Sequence, residues 1–125
     1  MKKLIVDETQ NTPGINFNPS DGILEIEGKS IPEKPDEFYN PLLDWIHQYF
    51  ENPRDKTLIK IKLEYINSSS TKYMLIIFRS IKQYYEKGFD CRVDWYYEED
   101  DVSILDMGKH FRNSTKLPFD FKVIY

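Results

Sequence analysis

The sequence is short of the residues from which many sites are built. One cysteine, Cys91, stands among 125 residues, so no disulfide can form within the chain. That fits a reducing compartment and makes the cytoplasm the expected location. The five glycines, Gly14, Gly22, Gly28, Gly88 and Gly108, are scattered, and none belongs to a glycine-rich phosphate loop. Cations are in the minority, 17 Lys and Arg against 21 Asp and Glu, for a net charge of -4. Nucleic acids and anionic membranes are recognised through clustered cations, so neither is an expected partner. The apolar run Leu4-Ile5-Val6 ends at Asp7, far too short for a signal-peptide core, and no stretch is long enough to span a bilayer.

What is present suffices for one core. Hydrophobic residues make up 40% of the chain and aromatics 15%, which excludes a disordered polymer and fits a single domain over residues 1–125. Apolar alternation around Ile15 and Phe17, then Ile23, Leu24 and Ile26, flanks the turn formers Asn18 to Gly22 and predicts a hairpin. Leu42, Leu43, Ile46, Tyr49 and Phe50 recur at helical spacing. They predict a helix from about Pro41 to Glu51, capped by Asn40 and ended by Pro53, with a short turn over 36–39 before it. "TLIKIKLEYIN" puts Ile59, Ile61, Leu63 and Tyr65 on one face of a strand. The period then changes: Met74, Ile77, Phe78, Ile81, Tyr84 and Tyr85 share one side of a helix over 69–87, with Gly88 as its stop. "FDCRVDWYY" alternates again, a third amphipathic stretch carries Val102, Ile104, Leu105, Met107 and Phe111, and "LPFDFKVIY" closes the chain as a strand. The order β, β, α, β, α, β, α, β predicts an α/β fold with three main helices. Its sheet is mixed: an N-terminal hairpin beside strands joined by parallel, right-handed crossovers.

In such a sheet the strand ends that feed helices share an edge, where α/β proteins place their sites. Two unusual stretches fall there. Asn67, Ser68, Ser69, Ser70 and Thr71 stand in a row at a strand-to-helix junction. Capping of the helix explains one or two of them; the alternative is that one hydroxyl accepts a phosphate, whose charge suits free N–H groups at a helix start. Trp95, Tyr96 and Tyr97 lead into Glu98, Glu99, Asp100 and Asp101. Alternation sends Trp95 and Tyr97 to one face and Tyr96 to the other. The aromatics are either packing or interface anchors. The four acids are a solvated turn that caps the next helix, a surface that responds to a nearby phosphate, or, less well supported by consecutive spacing, a cation site. His47 and His110 fall inside helices and Cys91 alternates inward, so position suggests no nucleophile–base pair, no catalytic residue and no metal or cofactor site.

"TPGINFNPSDGILEIEGKSIPE", "YINSSSTK", "YEKGFDCRVDWYYEEDD" and "LPFDF" together resemble the SiaC family of bacterial regulatory phosphoproteins, over nearly the whole chain and in matching order. The resemblance implies a fold like the STAS-type anti-sigma-factor antagonists and a non-enzymatic switch. In it a dedicated serine/threonine kinase phosphorylates a hydroxyl at a helix start and a PPM-type phosphatase removes the phosphate. The unphosphorylated form binds and activates a diguanylate cyclase, raising cyclic di-GMP and promoting biofilm growth. The motif places the acceptor at Ser68, where the family pattern carries threonine, with Ser69, Ser70 and Thr71 as alternates. Asn67, Ser69, Lys72, Trp95, Tyr96, Tyr97, Glu98, Glu99, Asp100 and Asp101 are the expected partner-binding residues. Two other readings of the residues stand beside it: a small metal-dependent phosphoryl-handling enzyme using residues 98–101, and a constitutive adaptor.

Overall fold

A computed structural model describes residues 1–124, which form nine elements. They are β1 (Leu4–Val6), β2 (Gly14–Asn18), β3 (Ile23–Ser30), α1 (Pro35–Tyr49), β4 (Lys56–Ile66), α2 (Ser68–Glu86), β5 (Asp90–Glu98), α3 (Val102–Thr115) and β6 (Phe119–Ile124). Tyr125, last residue of the expected closing strand, lies outside the described residues. The strands form one mixed sheet in the order β1-β2-β3-β4-β5-β6, with β1, β2 and β3 antiparallel and β3 to β6 parallel.

The α/β fold, the hairpin, the parallel crossovers and the three helices are as the sequence predicts. Several local features differ: Asn40 lies inside α1 instead of capping it, and Tyr85 and Phe89, expected to face inward, are exposed. β1 was not expected; it pairs with β2 through Leu4↔Phe17 and Val6↔Ile15, and the Trp45 indole donates to the Lys2 carbonyl at 2.9 Å. α1 begins at Pro35, not Pro41, because Pro35 supplies the first-turn proline and Asp36 and Glu37 the first-turn acids. Pro41 is tolerated inside the helix since it removes only the N–H that would reach the exposed Glu37, whose carbonyl is open to water. Tyr65 does not continue the buried face of β4: the pairing shifts from Gly28↔Leu63 to Lys29↔Tyr65, leaving Glu64 as a bulge. Tyr65 is thereby turned outward, 55% exposed, and Ile66 turned inward.

Each crossover steps one strand along the sheet in the same direction, so right-handed connections place α1, α2 and α3 on one face. Between the layers lie Phe17, Leu24, Ile26, Ile59, Ile61, Val93 and Trp95 from the sheet, and Tyr39, Leu42, Ile46, Met74, Phe78 and Phe111 from the helices. The other face of the sheet is polar, crossed by Lys62–Glu25 at 3.8 Å, Lys122–Asp94 at 3.1 Å and Arg92–Asp120 at 3.9 Å. The Asp94 hydrogen bond, then its charge, pushes the Lys122 ammonium above the usual lysine range.

Gly108 lets α3 sit down on this core. A Cβ there would meet the Trp95 indole at 2.6 Å. Trp95 is fully buried and its Nε1 donates to the Ile104 carbonyl at 2.9 Å, so the ring has no room to retreat. Helix propensity favours alanine over glycine by about 1 kcal/mol, whereas overpacking a close contact costs about 1–3 kcal/mol. Gly108→Ala is therefore expected to destabilise the fold, read as a lower urea midpoint at unchanged slope. A higher midpoint would mean that the Trp95 contact is slack.

Candidate functional site: the edge above β4 and β5

β4 and β5 are neighbours, so the hydroxyl run that ends β4 and the aromatic-acidic run that ends β5 emerge on one edge of the sheet. At the first of these, Asn67 is the cap of α2: its backbone is extended and its Oδ1 accepts from the Ser70 N–H at 3.0 Å. That bond satisfies one of the helix-start donors.

The four hydroxyls then part company. Ser69 Oγ donates to Asn67 Oδ1 at 3.2 Å, and Thr71 Oγ1 donates to the Asn67 carbonyl at 2.9 Å. Ser70 is fully buried, its Oγ accepting from Ser30 Oγ at 2.9 Å. Ser30 in turn shares a short hydrogen bond with the Tyr39 hydroxyl, so a chain of three buried hydroxyls ties α2 to β3 and α1. Burial raises the Tyr39 phenol above the ordinary tyrosine range, with the Ser30 and Ser70 bonds pulling the other way. Ser68 is exposed and makes no side-chain hydrogen bond among the described residues. It occupies the first position of α2, whose first turn contains no acidic residue to offset the positive end of the helix dipole.

Ser70, expected as an alternate acceptor, is instead fully buried, with its hydroxyl bonded to Ser30 behind the cap of α2. Trp95 is corrected as a docking residue, because it is sealed between β5 and α3. Tyr97 is half-buried against the core, and Tyr96 lies half-buried on the polar face with Lys62 Nζ 4.8 Å from its ring centre. Glu98, Glu99 and Asp100 are exposed. Asp101 Oδ1 accepts from the Ile104 N–H at 3.0 Å and so caps α3. No three of the described His, Cys, Asp and Glu side chains converge to hold a metal ion.

Lys72 stands one helical turn beyond Ser68 and is exposed, as is Ile76 a further turn along, at 43%. Val102, which the sequence pattern sent inward, begins α3 with 62% exposure. Neither apolar residue was expected on the surface; for Ile76 the signal was its place at i+8 from Ser68. Ser30 was missed too, although alternation from Leu24 and Ile26 puts it on the inner face of β3.

One edge of this small α/β protein thus carries both an exposed hydroxyl, at a helix start with no acidic residue in its first turn, and the acidic turn that follows β5. The chain belongs to the SiaC family: the model of the SiaC family regulatory phosphoproteins matches residues 6–124. It is 26% identical to an uncharacterized protein of Pseudomonas aeruginosa over 95% of this chain and 94% of that one. Its fold is that of apo-SiaC from Pseudomonas aeruginosa, with a TM-score of 0.92, 26% identity, and coverage of 98% of this chain and 100% of that one. The same likeness, TM-score 0.92 at 25% identity over 97% of this chain and 99% of the other, holds for a crystal structure of the diguanylate cyclase SiaD in complex with its activator SiaC.

Two outcomes are expected. Asn67→Ala removes the cap of α2 and should cost about 1 kcal/mol in urea unfolding, with faster amide exchange in the first turn. Burial, then the nearby Asp90 charge, pushes the Cys91 thiol up to about 12. A thiol-disulfide reagent at pH 8 should therefore leave the native chain unlabelled and label it fully in denaturant. As pH rises from the ordinary thiol range towards 12, the unfolded chain loses this proton first, so stability should fall across that window.

Proposed function

We propose that residues 1–125 form one regulatory domain, a non-enzymatic bacterial signalling switch reversibly phosphorylated on Ser68. The unphosphorylated form binds and regulates an effector such as a diguanylate cyclase. The observation that carries this reading is the partition of the hydroxyl run, in which Ser68 alone is exposed without an internal partner. Membership of a family of regulatory phosphoproteins supports it, as does the relative solved with the cyclase it activates.

A phosphate on Ser68 brings about -1.5 to -2 charges to the positive end of α2, where free N–H groups and the helix dipole favour it. Lys72, one turn on, faces the same side. α2 is thus stabilised while the surface that includes Lys72 and Ile76 gains a charge whose desolvation opposes docking. Glu98, Glu99 and Asp100 add repulsion to a dianion at this edge. A cognate serine/threonine kinase installs the group and a PPM-type phosphatase removes it in the cytoplasm. The acidic turn gives no geometric support to a phosphoryl-handling enzyme, since its last carboxylate is committed to capping α3.

Incubation with the cognate kinase and ATP should add one phosphate by intact mass, and Ser68→Ala should add none. The phosphorylated chain should bind its effector at least about tenfold more weakly than the unmodified chain, a loss of about 1.4 kcal/mol. Full phosphate mass on Ser68→Ala, or equal affinity in both states, would sink the reading.

A further inference from the structure

β4 and β5 pair from Lys56↔Asp90 to Ile61↔Trp95 and no further. Yet β4 continues to Ile66 and β5 to Glu98, each still joined to its outer neighbour through Ser30↔Ile66 and Glu98↔Ile124. The sheet therefore opens between two central strands, at the edge that carries Ser68. The opening is a cleft of about 560 Å³ on the polar face. Its walls include Glu27, Glu64, Glu98 and Asp101 against Lys29 and Lys62. Lys62 is already drawn 3.8 Å from Glu25 and lies 4.8 Å from the Tyr96 ring centre, which leaves the lining acidic in character.

Acidic side chains alone would make only a solvated rim. What distinguishes this cleft is main chain: the facing edges of residues 63–66 and 96–98 have no ladder with each other. Main-chain N–H and C=O groups on a parted strand edge are open to solvent, and an extended peptide can pair with them in register. The Glu64 bulge falls in the same stretch, as bulges do where pairing ends beside a site.

We propose that this cleft receives an extended basic segment of a partner protein, which pairs its main chain with the parted edges of β4 and β5. Its Lys or Arg side chains lie against Glu64 and Glu98, while the Tyr96 ring already carries the protein's own Lys62. A phosphate-bearing ligand is disfavoured by the four carboxylates. The inference goes beyond the Ser68 switch, and its test uses the unmodified chain, so its failure leaves the acceptor assignment standing.

The probe is a fluorescein-labelled peptide of alternating arginine and valine, with an alternating glutamate-valine peptide and a proline-interrupted arginine peptide as controls. Anisotropy should show saturable, salt-sensitive binding of the first alone. Amide exchange should slow at residues 63–66 and 96–98. Glu64→Lys with Glu98→Lys, both on exposed side chains that leave the core intact, should weaken binding at least about tenfold. Glu33→Lys, equally exposed and outside the cleft, should not. No binding in the millimolar range, equal binding of either control peptide, or unchanged exchange in both stretches would overturn the proposal.

Discussion

A buried hydroxyl must find a hydrogen-bond partner, and at the start of α2 this requirement sorts chemically similar side chains into different roles. Ser70 satisfies it through Ser30 and Tyr39, well inside the molecule. Ser69 and Thr71 satisfy it locally on Asn67. Because those bonds fix the first turn, Ser68 is left outside by geometry. An unmet buried hydroxyl costs about 1–3 kcal/mol, at least as much as the cap is worth, so the deeper chain of hydroxyls fixes the first turn of α2 alongside the apolar face of Met74, Ile77, Phe78 and Ile81. The exposed position is a product of the buried ones.

The second constraint is the one-sided architecture. With all three helices on one face, the opposite face of the sheet is left to charged alternation, Glu25, Lys62, Asp94 and Lys122 among its members. A two-layer protein of this kind has two distinct surfaces meeting along one edge: the helix side carrying Ser68, Lys72 and Ile76, and the strand side carrying the β4–β5 cleft. A modification at the shared edge is placed to influence either. This arrangement suits a regulatory protein, since neither surface requires the core to rearrange.

Much of this was legible in the sequence where a single period held. β2, β3, α2 and β5 followed from alternation or helical spacing, and Asn67 as a cap followed from its place between two periods. The failures have physical causes. Three residues, Leu4 to Val6, are too few to display a period, so β1 could be recognised only through its partner β2. Two prolines competed for the start of α1, and the first-turn acids at Asp36 and Glu37 decided for Pro35. Tyr65 obeyed local alternation until a bulge, which is a property of two strands together, reversed it. Among the serines, burial of Ser70 depended on Ser30, 40 positions away, and only the fold brings them together.

The Glu64 bulge also sets the angular phase of the central helix. One extra residue in β4 is what returns Ile66 to the core side and delivers Asn67 to the mouth of α2 in the orientation that seats Ser70 beside Ser30. Each residue of an α-helix advances its faces by about 100°. Loss of a single position between Leu63 and Asn67 would rotate a different serine into solvent and carry Ser68 towards the interior.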